Sequence, residues 1–203
     1  SRISAVCAEM GAILQRTALS PNIRDRLDYS CAVFDARGEL AAQAAHITVH
    51  LGSMAFAMGE LVGERQWQPD DQLVVNDPYA GGTHLPDVTL VAPCFVAGRL
   101  CGFVANRAHH ADIGADSPGS MPISRSLDDE GLLLSPQLLV AGGQLDEQLF
   151  ESIVKSTRNP QGSSGDFSAQ LSANRSGAKR LATLIEQYGF ESFSSSLEAL
   201  NNY

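Results

Sequence analysis

The stretch NDPYAGGTHLPDVTLVAP, residues 76–93, sets His84 and Asp87 three apart with Leu85 and Pro86 between them. Downstream, RAHHAD supplies His109 and His110. Imidazole and carboxylate together form a ligand set that suits zinc, manganese or iron. Pro86 bars the first motif from a helix interior, so a turn feeding a strand has to bring its side chains to one rim. If DVTLVAPCFVAGRLCGFVANRAHH is a hairpin turning at Ala97-Gly98, Asp87 falls level with Ala108, one residue from His109. His84, Asp87 and His109 then meet at the open end of that hairpin. Neighbouring strand residues point to opposite faces, so only one of His109 and His110 is a ligand. The other binds substrate or orients the ligands. The same residues also read as a polar loop with surface histidines, and spacing alone leaves both readings open.

Other residues carry weaker signals. His46 and His50, four apart in HITVHLG, precede a helical pattern and could line a pocket or bond backbone carbonyls. YAGG reads as a turn, with the option of close backbone approach to a ligand. The acidic DDEG run at residues 128–131 reads as a solvated loop. There is no GxxxxGK phosphate loop and no GxSxG nucleophile elbow, so neither Walker-type ATP binding nor a serine-hydrolase centre is expected.

The elements that must hold these residues follow from periodicity. Ile3, Val6, Met10, Ile13 and Leu14 recur near helical spacing, and Ser20-Pro21 stops the run. DYSCAVFDARGELAAQA alternates as two strands joined at residues 36–38, and LGSMAFAMGELVGE reads as a helix. QLVVN is a short strand, and the long hairpin follows it. Residues 111–136 are rich in Gly, Pro, Ser and Asp and read as a long loop. The remainder reads as helical: one segment over residues 145–157, and another capped by Asp166 and stopped at Gly189. Strands first and helices after predict an α+β fold: a mixed or antiparallel sheet with a central hairpin, flanking helices and a helical carboxyl-terminal part.

Composition narrows the function. The chain has 203 residues, 44 % hydrophobic and 18 % charged, with a net charge of −9, which describes a globular chain long enough for one domain with a sizeable core. The negative balance argues against nucleic acid and anionic membrane surfaces, and no apolar run reaches the roughly 18–20 residues of a membrane span. Cys7, Cys31, Cys94 and Cys101 lack paired metal spacing and are too few for a disulfide scaffold. In the hairpin register Cys94 and Cys101 stand opposite each other, although buried free thiols are the simpler expectation. No secretory leader pattern opens the chain, and the expected compartment is the cytoplasm.

Four stretches are more specific than any single motif: RTALSPNIRDRLDYSCAVFDARGELAAQAAHITVHLGSM, NDPYAGGTHLPDVTLVAPCF, GFVANRAHHADIGADSPGSMP and GDFSAQLSANRSGAKRL. Together they resemble the B-type subunit family that includes N-methylhydantoinase B, the carboxyl-terminal half of 5-oxoprolinase and the alpha subunits of acetone carboxylases. The resemblance extends over nearly the whole chain. Members are usually much longer, so residues 1–203 read as a single domain, the amino-terminal portion of a hydantoinase B-like subunit. The resemblance implies a division of labour in which an A-type partner, carrying ATP and Mg²⁺, phosphorylates a carbonyl or enol oxygen. The B-type subunit then holds the activated substrate at a divalent metal, zinc or manganese. It implies His84, Asp87 and His109 as ligands, with Asp28 of RLDYS as a fourth. His110 is then a candidate proton acceptor, and Arg107 a planar fork for phosphate or carboxylate. The outcome is hydrolysis of a cyclic amide or, alternatively, carboxylation of a ketone of the acetone or acetophenone kind. A truncated, non-catalytic interaction fragment is the further alternative.

Overall fold

The structure, a computed structural model, describes residues 2–45, 50–63, 65–117, 124–193 and 195. The first apolar stripe forms α1 (Arg2–Thr17), which buries Ile3, Val6, Met10 and Leu14. Pro21 then opens a short α2 (Pro21–Arg24), where its missing N–H costs nothing. The alternating segment folds into β1 (Tyr29–Asp35) and β2 (Leu40–Ala45), followed by α3 (His50–Gly63) and β3 (Gln72–Val75).

The long hairpin forms as β4 (Asp87–Val96) and β5 (Arg99–His109). Ala97 and Gly98 both take positive φ, 50° and 78°, the twist a two-residue hairpin turn requires. The register departs from the sequence expectation by one residue. Phe95 pairs with Leu100, but Cys94 pairs with Gly102, so Cys101 is an extra residue in a β-bulge. Cys94 and Cys101 therefore do not face each other, and all four cysteines are free and buried. Beyond the bulge Asp87 pairs with His109 rather than with Ala108.

After the loop, where residues 118–123 lie outside the described set, the chain does not turn straight to helix. It adds β6 (Gln137–Ala141) and β7 (Gln144–Leu145), joined at Gly142-Gly143. The expectation of helix here missed a hairpin whose two glycines both sit at positive φ. α4 (Glu147–Lys155) follows, capped by Asp146. α5 (Pro160–Tyr188) begins earlier than expected, capped by Asn159, while Gly189 ends it as anticipated. Asp166 is therefore inside the helix; it is buried and accepts the backbone N–H groups of Leu19 and Ser20.

The seven strands make one antiparallel sheet in the order β2-β1-β5-β4-β3-β6-β7. The fold is α+β. Helices α1 and α5 cover one face, with Val6, Met10 and Leu181 packed against Cys31, Val33 and Val104. Helix α3 covers the other, laying Met54, Met58 and Leu61 on Phe34, Val91 and Phe103. The central strands are thus buried on both faces, and polar side chains there need partners. No helix among the described residues is long and apolar enough to cross a membrane.

Candidate metal centre

Residues directly opposite in an antiparallel pair share a face of the sheet. Asp87 opposite His109 and Thr89 opposite Arg107 therefore present four polar groups to the α3 side at one end of the hairpin. The turn between β3 and β4 brings Thr83 and His84 over the same end, and His50 opens α3 beside them. Gly81 and Gly82 make this turn possible. Gly81 has φ 95°, and a Cβ there would lie 2.1 Å from Ala57 Cβ; a Cβ on Gly82 would lie 2.2 Å from the Asn76 carbonyl oxygen. YAGG is thus a turn packed against α3.

At the centre, His109 Nδ1 and Asp87 Oδ1 are 2.7 Å apart, and His50 Nε2 is 3.8 Å from the same oxygen. Thr83 Oγ1 donates to Asp87 Oδ2 at 2.8 Å, and His50 Nδ1 lies 3.0 Å from Ser30 Oγ. The rings of His84 and His109 have centroids 5.7 Å apart and are tilted by 32°. Each of His84, Asp87 and His109 offers a ligand atom within 4.8 Å of the other two. Asp87 and His109 are buried, whereas His84 is half-buried, which leaves one side of the trio approachable.

Electrostatics favours the ionised carboxylate of Asp87 and a more basic His109 ring. Burial alone would raise the Asp87 carboxyl, but hydrogen bonds from His109 and Thr83, with His50 Nε2 close by, outweigh it and hold Asp87 well below the usual carboxylate range. Burial likewise opposes charge on His109, yet the bond to Asp87 and the charges of Asp87 and Asp28 shift it upward. One atom is left over: among the described residues, buried His109 Nε2 has no hydrogen-bond partner. Buried polar atoms are almost always paired, and a bare imidazole nitrogen beside a carboxylate and a second imidazole is a fitting donor set for a divalent ion.

The other expected site residues stand differently. Asp28 is not one of the three whose ligand atoms converge; its carbonyl oxygen accepts the His109 N–H, and its charge acts on His109 from a distance. Arg107 is fully buried, and its guanidinium is spent on neutral partners: Thr89 Oγ1 at 2.8 Å, Ser53 Oγ at 2.7 Å and the Gly81 carbonyl at 2.8 Å. It ties the hairpin to α3 and to the turn that carries His84. His110 points to the α5 face, as strand alternation requires. There it lies 4.6 Å from the Phe167 ring with Nε2 2.8 Å from Gln170 Oε1, and burial lowers its pKa.

His50 stands closer to the trio than its sequence setting indicated, and its place at a helix start was the available clue. His46, weighed beside it, lies outside the described residues. Thr83 and Gln170 carried no chemical signal in the sequence.

The family model for hydantoinase B/oxoprolinase matches residues 1–203. The chain belongs to the hydantoinase B/oxoprolinase family. Among its relatives, an uncharacterized protein of Methanocaldococcus jannaschii is 45 % identical over 195 residues, covering 93 % of this chain and 35 % of the relative. A 5-oxoprolinase of Dictyostelium discoideum is 39 % identical over 194 residues, covering 94 % of this chain and 15 % of its own length. The ATP-dependent caprolactamase of Pseudomonas jessenii superposes with a TM-score of 0.89 at 28 % identity, covering 98 % of this chain and 35 % of that one. This member of the hydantoinase B/oxoprolinase family thus spans about a third or less of the proteins it matches.

Proposed function

We propose that this chain carries the metal site of a hydantoinase B-type subunit, acting on a cyclic amide whose carbonyl oxygen has been phosphorylated by an ATP- and Mg²⁺-binding A-type partner. The observation that carries the reading is the convergence of His84, Asp87 and His109 with a buried His109 Nε2 that has no partner among the described residues. These three residues would hold one zinc or manganese ion. A divalent ion held there acts as a Lewis acid toward a carbonyl or phosphoryl oxygen.

The chain's own residues prepare that position. Asp87 fixes the His109 ring through Nδ1, while His50 and Thr83 hold the carboxylate from two further directions. Arg107 anchors the Gly81 turn and so sets where His84 stands. Half-buried His84 marks the approach for substrate. Amide and lactam carbonyls are poor electrophiles, and a phosphorylated oxygen is a better leaving group, so activation by a partner followed by hydrolysis here is chemically economical.

The amide reading is preferred over ketone carboxylation because 5-oxoproline and caprolactam, the compounds after which two of the similar proteins are called, are both cyclic amides. Four unpaired thiols agree with a reducing, cytoplasmic setting.

The test is metal content followed by reconstitution. The purified chain should retain about one equivalent of Mn²⁺ or Zn²⁺, and His84→Ala should lose it. With an A-type partner, ATP should drive opening of a lactam, and the chain alone should turn over little. Wild-type protein that takes up no metal, or lactam opening that is strong without partner and ATP, overturns the proposal.

A further inference from the structure

Behind the metal trio, on the α5 face of the sheet, lies a run of buried amides: Asn106, Gln170 and Asn174, each essentially without solvent exposure. Gln170 stands apart because its one side chain reaches both strands that carry ligands. Its Nε2 donates to the Val88 carbonyl at 2.9 Å, and its Oε1 lies 2.8 Å from His110 Nε2. Val88 follows Asp87 on β4, and His110 follows His109 at the end of β5. The two residues gripped by Gln170 thus flank the cross-strand pair that supplies two of the three ligands.

Hydrogen-bond logic settles the protonation of this contact. The Val88 carbonyl can only accept, so the NH₂ of Gln170 must face it and the oxygen must face His110. His110 Nε2 therefore carries the hydrogen. Its other nitrogen, Nδ1, is buried and has no partner among the described residues. The basic atom of His110 is thus sealed against the Phe167 side of the sheet, and a role as proton acceptor for substrate does not fit it.

We propose that Gln170, acting through His110 and Val88, is a positioning residue for the Asp87–His109 ligand pair. A strand end held only by ladder bonds frays. A side chain from a long packed helix, bonded to both strands within one residue of each ligand, holds the ends at a set separation and angle. Asp87 and His109 meet at 2.7 Å on the far face partly because Gln170 clamps this one. Partners of this outer kind commonly tune metal affinity by about 10- to 100-fold. The inference rests on the metal reading above.

The experiment is Mn²⁺ binding to the 203-residue chain, followed by titration and by electron paramagnetic resonance at a temperature well below unfolding. Gln170→Met keeps the length of the side chain and removes both bonds. It should keep the circular dichroism spectrum, bind Mn²⁺ about 10- to 100-fold more weakly, and broaden the resonance of the bound ion. Asn174→Ala serves as the control for general loosening. It removes a buried amide of the same helix that bonds Asn106 at 2.7 Å and reaches neither ligand strand end; it should lower thermal stability with affinity unchanged. Unaltered affinity in Gln170→Met, or an equal loss in Asn174→Ala, overturns the assignment. Should Gln170→Met fail to fold, the ¹⁵N shifts of His110 in the wild-type chain decide: Nε2–H supports the clamp, and Nδ1–H refutes it. A wild-type chain that binds no Mn²⁺ would instead remove the metal reading, a separate result.

Discussion

Individual side chains in this site are held by neighbours of opposite need. Asp87 is buried and yet ionised because Thr83 and His109 bond its two oxygens and His50 stands close to one of them. The consequence for stability has a definite sign. A carboxyl whose folded pKa lies below its unfolded value of 3.8 contributes stability that is present above pH 3.8 and lost as the pH falls below it. In chelator-treated protein, the decline in unfolding free energy below that pH should be shallower in Asp87→Asn than in wild type; parallel acid titrations would contradict this. Arg107 is a fully buried cation bonded to two hydroxyls and one carbonyl. Arg107→Met removes those three buried hydrogen bonds, and roughly 2–4 kcal/mol of stability should go with them, read from urea midpoints. Arg107→Lys should not rescue it, since one ammonium cannot span three partners set out as a fork.

Between neighbouring elements, the decisive feature is the single extra residue at Cys101. In an unbroken hairpin Asp87 would face Ala108, and His109 would project to the opposite side of the sheet, because a one-residue slip exchanges faces. The bulge shifts the register by that one residue and turns His109 toward Asp87. Deleting Cys101 should therefore abolish metal retention even where the chain still folds. A deletion variant that keeps Mn²⁺ affinity would show that the bulge can be absorbed elsewhere along β5. A clue was present in the sequence: Gly102, a glycine inside a strand pattern, often marks a bulge. A Cβ there would lie 2.5 Å from the Phe34 carbonyl of the neighbouring strand.

Across the whole chain, the proposed ligand trio is held between helices far apart in sequence. The turn after β3 supplies His84, two strand ends supply Asp87 and His109, α3 backs them on one face and α5 on the other. An ion bound there binds the folded state alone, so free Mn²⁺ at about 100 times its dissociation constant should raise the unfolding free energy by roughly 2.7 kcal/mol. Hydrogen exchange should slow together at the ends of β4 and β5 and around Gln170. Protection confined to the 78–86 turn would mean that the ion grips the loop and leaves the sheet untouched.

The sequence alone determined what is local. Apolar spacing placed α1, α3 and the first five strands. The Ala97-Gly98 turn set the hairpin, and His84, Asp87 and His109 stood out because few residue types can ligate a metal. Tertiary structure decided what depends on distant neighbours. The helical expectation after residue 136 missed the β6–β7 hairpin, which pairs with β3 to extend the sheet. Asp166, expected as a helix cap, became a buried acceptor for Leu19 and Ser20. Arg107 and His110 carry functional groups that any reader of the sequence would enlist for catalysis. Which face of the sheet each one meets, and which buried partners it must satisfy there, is set by a register and a helix packing that no short window of residues encodes.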